Sequence, residues 1–208
     1  MLKGRMSDRL VAAVILAAGG ASRFGSAKQL AIVGEHSLCQ LAINTARKVF
    51  QEDVYLVLGA NRQSIQDQIT GAHIIPNGHW REGIGTSIAV GVANLGDQFE
   101  GVMILLADQP DIQPAHLQGM IAKFTGSNIV AAYYRDKRGV PALFPKDCFP
   151  ALSQLKGDQG AKQLLHSSNK SVTEYPLNEA AFDIDTPKNL REWKARLQNR
   201  LITLPVGI

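Results

Sequence analysis

Short apolar runs without alternation recur along this chain, and segments of helical spacing lie between them. Val11–Leu16, Val54–Leu58, Val102–Leu106 and Ile129–Tyr134 are rich in Val, Ile and Leu and carry almost no polar residue. A strand wetted on one face alternates apolar with polar residues, whereas a strand covered on both faces does not. Between these runs, His36–Phe50 places Leu38, Leu41, Ala42, Ile43, Ala46 and Val49 on or near one helical face. Asn61–Ile69 reads as a short helix and His73–Ile75 as a short strand. Thr86–Leu95 reads as a helix opened by a Gly-rich turn, and Pro114–Phe124 as a helix with proline in its first turn. This rhythm predicts an α/β fold of three layers, a mostly parallel sheet with helices on both faces. Such sheets bind ligands beyond the carboxyl ends of their strands, which points to residues 17–28 and 107–111.

After about residue 135 the pattern becomes irregular. Val140–Phe144 reads as a strand among prolines, followed by short helices at Lys146–Leu155 and Gly160–Ser167. A strand at Val172–Tyr175, an apolar turn at Phe182–Ile184 and a helix from Pro187 complete the chain. No linker, repeat or low-complexity segment interrupts residues 1–208, which therefore read as a single domain.

Composition excludes several classes. Over 208 residues, 45% are apolar and 19% charged, an ordinary balance for a globular protein. A net charge of +4 without a dense Lys/Arg run argues against a nucleic-acid partner. Cys39 and Cys148 are far apart and form no CxxC, so they read as free thiols in a reducing cytoplasm. The histidines at 36, 73, 79, 116 and 166 show no zinc spacing. Lys3, Arg5 and Arg9 before the apolar stretch Leu10–Ala18 imitate a signal peptide, but β-branched Val11, Val14 and Ile15 favour a buried strand. No later stretch approaches the roughly 20 apolar residues of a membrane span, so the expected location is cytoplasmic, with no membrane partner.

The first strand runs directly into Leu16-Ala17-Ala18-Gly19-Gly20-Ala21-Ser22-Arg23-Phe24-Gly25-Ser26-Ala27-Lys28. Small residues let the backbone approach a ligand, and successive N–H groups can form an anion nest. Arg23 and Lys28 add cations suited to a triphosphate. A P-loop would need Gly-Lys-Ser/Thr and a dinucleotide fingerprint GxGxxG; glycines at 19, 20 and 25 match neither. A plain β–α turn is the simpler alternative, yet such a turn has little use for three glycines, an arginine and a lysine in so short a stretch.

The same segment resembles the signature of nucleotidyltransferases with a Rossmann-like fold, a group that includes sugar-1-phosphate nucleotidylyltransferases and enzymes attaching GMP or CMP to molybdopterin. The resemblance implies that Leu16, Ala17, Ala18, Gly19, Gly20 and Ser22 wrap the NTP, that Lys28 contacts its phosphates, and that Arg23 helps neutralise the leaving pyrophosphate. It also implies a nucleotide-binding core at residues 10–135 and an acceptor-side extension at 136–192.

Asp108 ends an apolar strand in Leu106-Ala107-Asp108-Gln109-Pro110, facing the phosphate loop, and is placed to hold Mg²⁺. The alternative is a turn or N-cap role, which Asp111 could fill instead. In Asp183-Ile184-Asp185-Thr186-Pro187 alternation puts both aspartates on one side, and a capping role before the final helix is again the competing reading. By the resemblance, Asp185 completes the metal site with Asp108, and Asp183 is the reserve. These motifs, with Gly157-Asp158-Gln159-Gly160-Ala161, are similar to molybdenum cofactor cytidylyltransferases; guanylyltransferases of this fold more often carry Asp-Met-Pro and Asn-x-Asn-Thr-Pro. The similarity spans roughly residues 12–190.

The implied reaction is transfer of CMP from CTP, or NMP from another NTP, to a molybdopterin-type phosphate, with Lys28, Arg23 and Asp108 catalytic and a molybdoenzyme as a further partner. Asn77 and Ser87, in Asn77–Ser87, are implied at the nucleobase, with N-capping as the local alternative for Ser87 or Thr86. Gly139-Val140-Pro141 would let another backbone or the acceptor come close, or mark a bulge. N–H groups at 157–161 would hold the acceptor phosphate, or simply make a turn. A sugar-phosphate or GTP-using enzyme and a non-catalytic cofactor carrier are the rival readings.

Overall fold

The computed structural model describes residues 10–20, 24–166 and 171–202. Its centre is β1 (Val11–Leu16), buried along its whole length. The other strands are β2 (Ile32–Val33), β3 (His36–Ser37), β4 (Val54–Leu58), β5 (His73–Pro76), β6 (Gly101–Leu106), β7 (Ile129–Tyr134), β8 (Lys137–Pro145) and β9 (Val172–Pro176). The helices are α1 (Leu38–Phe50), α2 (Arg62–Gln66), α3 (Ile84–Ala93), α4 (Pro114–Ala122), α5 (Phe149–Leu152), α6 (Lys162–His166) and α7 (Pro187–Ile202). Seven strands form one sheet in the order β5-β4-β1-β6-β8-β7-β9, and β2 with β3 make a separate hairpin. β4 and β6 flank β1 in parallel, β5 joins β4 and β9 joins β7 in parallel, while β8 is antiparallel to both of its neighbours.

The missing alternation has the expected cause. Ala13, Ile15 and Ala17 face one core, where Cys39, Ile43 and Ala46 of α1, Ile65 of α2, and Leu117 and Met120 of α4 cover the sheet. Val14, Leu16 and Ala18 face the opposite core, under Ile88 and Val92 of α3, Leu152 of α5 and Leu165 of α6. Each large side chain buried this way contributes about 1.5–3 kcal/mol. Val33, Leu38, Ile184 and Trp193 form a third, smaller cluster that docks α7 and the β2–β3 hairpin beside the sheet.

Several boundaries differ from the sequence reading for identifiable reasons. The segment read as one helix from His36 begins as strand, because Gly34 turns the chain at φ 61° and His36–Ser37 pairs back on Ile32–Val33. Ser37 then caps α1, its Oγ accepting the Gln40 N–H at 3.2 Å. Helix α3 starts two residues before Thr86 because Gly83, at φ 120°, makes the break. Gly139 pairs with Ala132 just where β7 and β8 shift register. A Cβ there would strike the Tyr134 hydroxyl, beside a register shift between Ala131 and Ala132, which is the bulge alternative.

Candidate active site

A cleft of about 400 Å³ opens at the carboxyl ends of β1 and β6, within the size range of small-molecule sites. Leu16, Ala17, Ala18, Gly19 and Gly20 form one wall, Lys28 and Asp108 one end, and Gly83, Ile84 and Ser87 of the α3 entrance the opposite wall. Ser22 and Arg23 lie outside the described residues, so the middle of the loop has no placement here.

Lys28 begins a short 3₁₀ turn after the loop. Its Nζ lies 2.6 Å from Asp108 Oδ2 and 2.8 Å from Asp185 Oδ1. Burial pulls the Lys28 ammonium towards neutrality, but the carboxylates, Asp108 before Asp185, outweigh it and hold its pKa above the ordinary lysine value. The two aspartates are 77 positions apart, yet a main-chain bond from Ile184 N–H to Asp108 O, 2.9 Å, ties their loops together. Asp183, beside Ile184, does not contact Lys28. Desolvation, then the Asp108 charge and more weakly that of Asp185, push its carboxyl above the usual range, against the nearby Gln109 amide and the Lys28 charge, which pull it down.

The donor set fits a hard divalent cation. Asp108 and Asp185 converge on one point, and Asp108 Oδ1 is buried without a hydrogen-bond partner. Among the described residues no group of three or more His, Cys, Asp or Glu is arranged around a common metal position. Two carboxylates without a full cage suit Mg²⁺, which retains water and takes phosphate oxygens as its remaining ligands.

The profile of the MobA-like NTP transferase domain matches residues 13–172. The chain belongs to the MobA-like NTP transferase family. It is 30% identical over 192 residues to the purine catabolism protein PucB of Bacillus subtilis (strain 168), covering 84% of this chain and 91% of that one. The crystal structure of Rv0371c from Mycobacterium tuberculosis H37Rv superposes with a TM-score of 0.80 at 27% identity, over 90% of this chain and 98% of that one. A complex of Rv0371C with manganese gives a TM-score of 0.76 at 25% identity, over 89% and 98%.

Within this NTP transferase cleft, three side chains escaped the sequence reading. Gln29 is buried, and its Nε2 donates to Ala17 O and to Gly19 O, both at 2.9 Å. Those bonds occupy two of the loop carbonyls, and Gln29 itself lines the cleft. Trp80 packs against the loop and the end of β4: a Cβ on Gly20 would fall 3.0 Å from Trp80 Cζ3, and one on Gly59 2.5 Å from Trp80 Cβ. Arg81 stacks over the Trp80 ring with its guanidinium carbon 4.6 Å from the centroid, and both residues line the cleft. The glycines at 20 and 59 leave room for this ring, but a glycine in a sequence does not name the residue that fills the space. Asn77, expected at the nucleobase, does not line the cleft; it is buried behind Ser87. The turn at 157–160 packs on the α3 entrance, where a Cβ on Gly85 would meet Gly157 O at 2.8 Å, and Asp158 reaches the cleft.

Proposed function

We propose that this NTP transferase moves CMP from CTP onto the terminal phosphate of a molybdopterin-type acceptor and releases pyrophosphate. The observation that carries the reading is Lys28 held between Asp108 and Asp185 at the end of a cleft walled by the glycine loop. An acceptor phosphate oxygen attacks the α-phosphorus as the bond to the bridging oxygen of the β-phosphate breaks, and the electron pair leaves with pyrophosphate. The acceptor is already anionic, so no side-chain nucleophile or general base is required; catalysis becomes positioning and charge stabilisation.

In this scheme Lys28 passes from the carboxylates to the phosphates when the nucleotide enters, and Arg23 accompanies it on the leaving pyrophosphate. Asp108 and Asp185 are the residues that would hold Mg²⁺. The cation supplies charge neutralisation at the α-phosphate when bound. Loop N–H groups at 17–20 face the phosphates because Gln29 engages the carbonyls, and Ser87 faces the base. The turn at 157–160 and residues 136–192 provide the acceptor side. The manganese complex of Rv0371C supports divalent metal use. PucB is a purine catabolism protein, and by likeness the product here would serve a molybdoenzyme of purine breakdown.

The test is pyrophosphate release with Mg²⁺ and purified molybdenum cofactor, comparing CTP, GTP, ATP and UTP. Release with CTP alone supports the proposal. Release with another NTP keeps the mechanism and changes the product. Cofactor binding without release from any nucleotide replaces it with the carrier reading.

A further inference from the structure

Asn77 follows β5, and its own N–H is anchored to Leu58 O at 2.7 Å. The polarity of its side chain is dictated by the main chain. Its Oδ1 accepts the His79 N–H at 2.9 Å, and a backbone amide can only donate. The other end is therefore the NH₂ group, which donates to Thr86 Oγ1 and to Ser87 Oγ, each at 3.0 Å. Both amide hydrogens are then committed. The Thr86 hydroxyl sends its hydrogen to Gly83 O at 2.9 Å or to His79 O at 3.1 Å. Ser87 has no such outlet among the described residues: its oxygen accepts from Asn77, and its hydrogen meets no protein acceptor. Ser87 is only 4% exposed, and it lines the cleft.

We infer that Asn77 is a positioning residue that fixes the Ser87 hydroxyl as a hydrogen-bond donor towards the nucleotide, so that the α3 entrance accepts a base presenting a carbonyl oxygen or unprotonated ring nitrogen there and rejects one presenting N–H. The inference rests on reading the cleft as the nucleotide site, and it concerns selectivity rather than the acceptor. A hydroxyl with free rotation could satisfy either kind of base atom. A hydroxyl that already accepts from Asn77 has its hydrogen and one lone pair left, and turning that lone pair to the cleft for a base N–H strands the hydrogen where no protein acceptor meets it, so the wrong base leaves a buried donor unsatisfied.

The variant Asn77→Asp keeps the size and the acceptor for His79 N–H but replaces the amide donor with a second acceptor. Ser87 then donates inward to residue 77, and its lone pairs face the cleft. Calorimetric Kd values for CTP, UTP, GTP and ATP with Mg²⁺ are compared for the parent, Asn77→Asp, Ser87→Ala and the double variant; no molybdopterin is needed. The expected result is a rise of about ten-fold or more in Kd for the preferred nucleotide in each single variant, about the worth of one hydrogen bond. Selectivity among the four should narrow, and the double variant should bind no worse than Ser87→Ala. Thr86→Val, which removes the other Asn77 partner, serves as the folding control: its melting temperature falls while its nucleotide preference stays. Multiplicative losses in the double variant, unchanged selectivity in Asn77→Asp, or altered selectivity in Thr86→Val overturn the inference while leaving the nucleotide site intact. If the parent binds none of the four nucleotides, the reading of the cleft itself falls, and this inference with it.

Discussion

Lys28 and Asp108, 80 positions apart, meet at 2.6 Å, so the end of the glycine loop and the end of β6 are joined by an ion pair at the floor of the cleft. The cation read as a phosphate ligand and the anion read as a metal ligand thus neutralise each other. Binding a metal–nucleotide complex would exchange both partners at once.

Asp108→Asn should reduce turnover by at least 100-fold, because the neutral amide loses the charge that draws the cation, while the fold is kept. Steady-state pyrophosphate release at saturating Mg²⁺, with circular dichroism as the folding check, measures it. Normal turnover in a folded variant would remove Asp108 from the mechanism.

Lys28→Met should lower turnover similarly and destabilise the nucleotide-free protein by about 1–3 kcal/mol at neutral pH, since two partly buried carboxylates lose their counter-ion. A lysine whose folded pKa is raised contributes stability that is complete below the unfolded value near 10.4 and is lost as pH rises through the folded one. Parent and variant should therefore differ by a constant amount from neutral pH to about pH 10 and converge in stronger alkali. Added Mg²⁺ should recover more stability in the variant than in the parent, as read by thermal unfolding.

Asp183→Asn should raise the melting temperature at pH 7 in chelator. The Asp183 carboxyl is pushed up by desolvation and then by Asp108 and Asp185. An acid with a raised folded pKa binds its proton more tightly in the native state, so its ionisation costs stability above that pKa and nothing below the unfolded one. The gain from the amide should shrink as pH falls and vanish below about pH 4. A variant less stable than the parent at pH 7 would show that Asp183 is held by favourable contacts instead.

Gln29→Leu should destabilise by about 1–3 kcal/mol by stripping the donor from the Ala17 and Gly19 carbonyls. With those carbonyls free to turn into the cleft, the nucleotide Kd should rise while the acceptor KM stays. Denaturant unfolding and calorimetry separate the two effects, and unchanged nucleotide affinity would argue that the loop keeps its shape unaided.

The strand ends were legible where burial alone sets the pattern: β1, β4 and β7 begin and stop where the apolar runs do. Strand direction was not, because a run covered on both faces looks the same in either sense. The β7–β8 turn hid the antiparallel strand further. Arg135 and Asp136 both take positive φ, at 49° and 56°, where a tight hairpin ordinarily advertises itself with Asn-Gly or Asp-Gly. In the site, Lys28, Asp108 and Asp185 were picked out by the motifs that carry the family resemblance, since local chemistry alone left turn or capping roles open for both aspartates. Gln29 and Asn77 could not be placed the same way, because each acts through main-chain or hydroxyl partners that are only known once the chain is folded.

The bond from Ile184 N–H to Asp108 O has a consequence for timing. A chain emerging in order from the ribosome completes its loop, β6 and Lys28 long before residue 185 exists. Until the last third docks, Asp108 has a lysine but no second carboxylate. On the proposed reading, the carboxylate pair that would hold the metal is completed only when that late segment docks against β6.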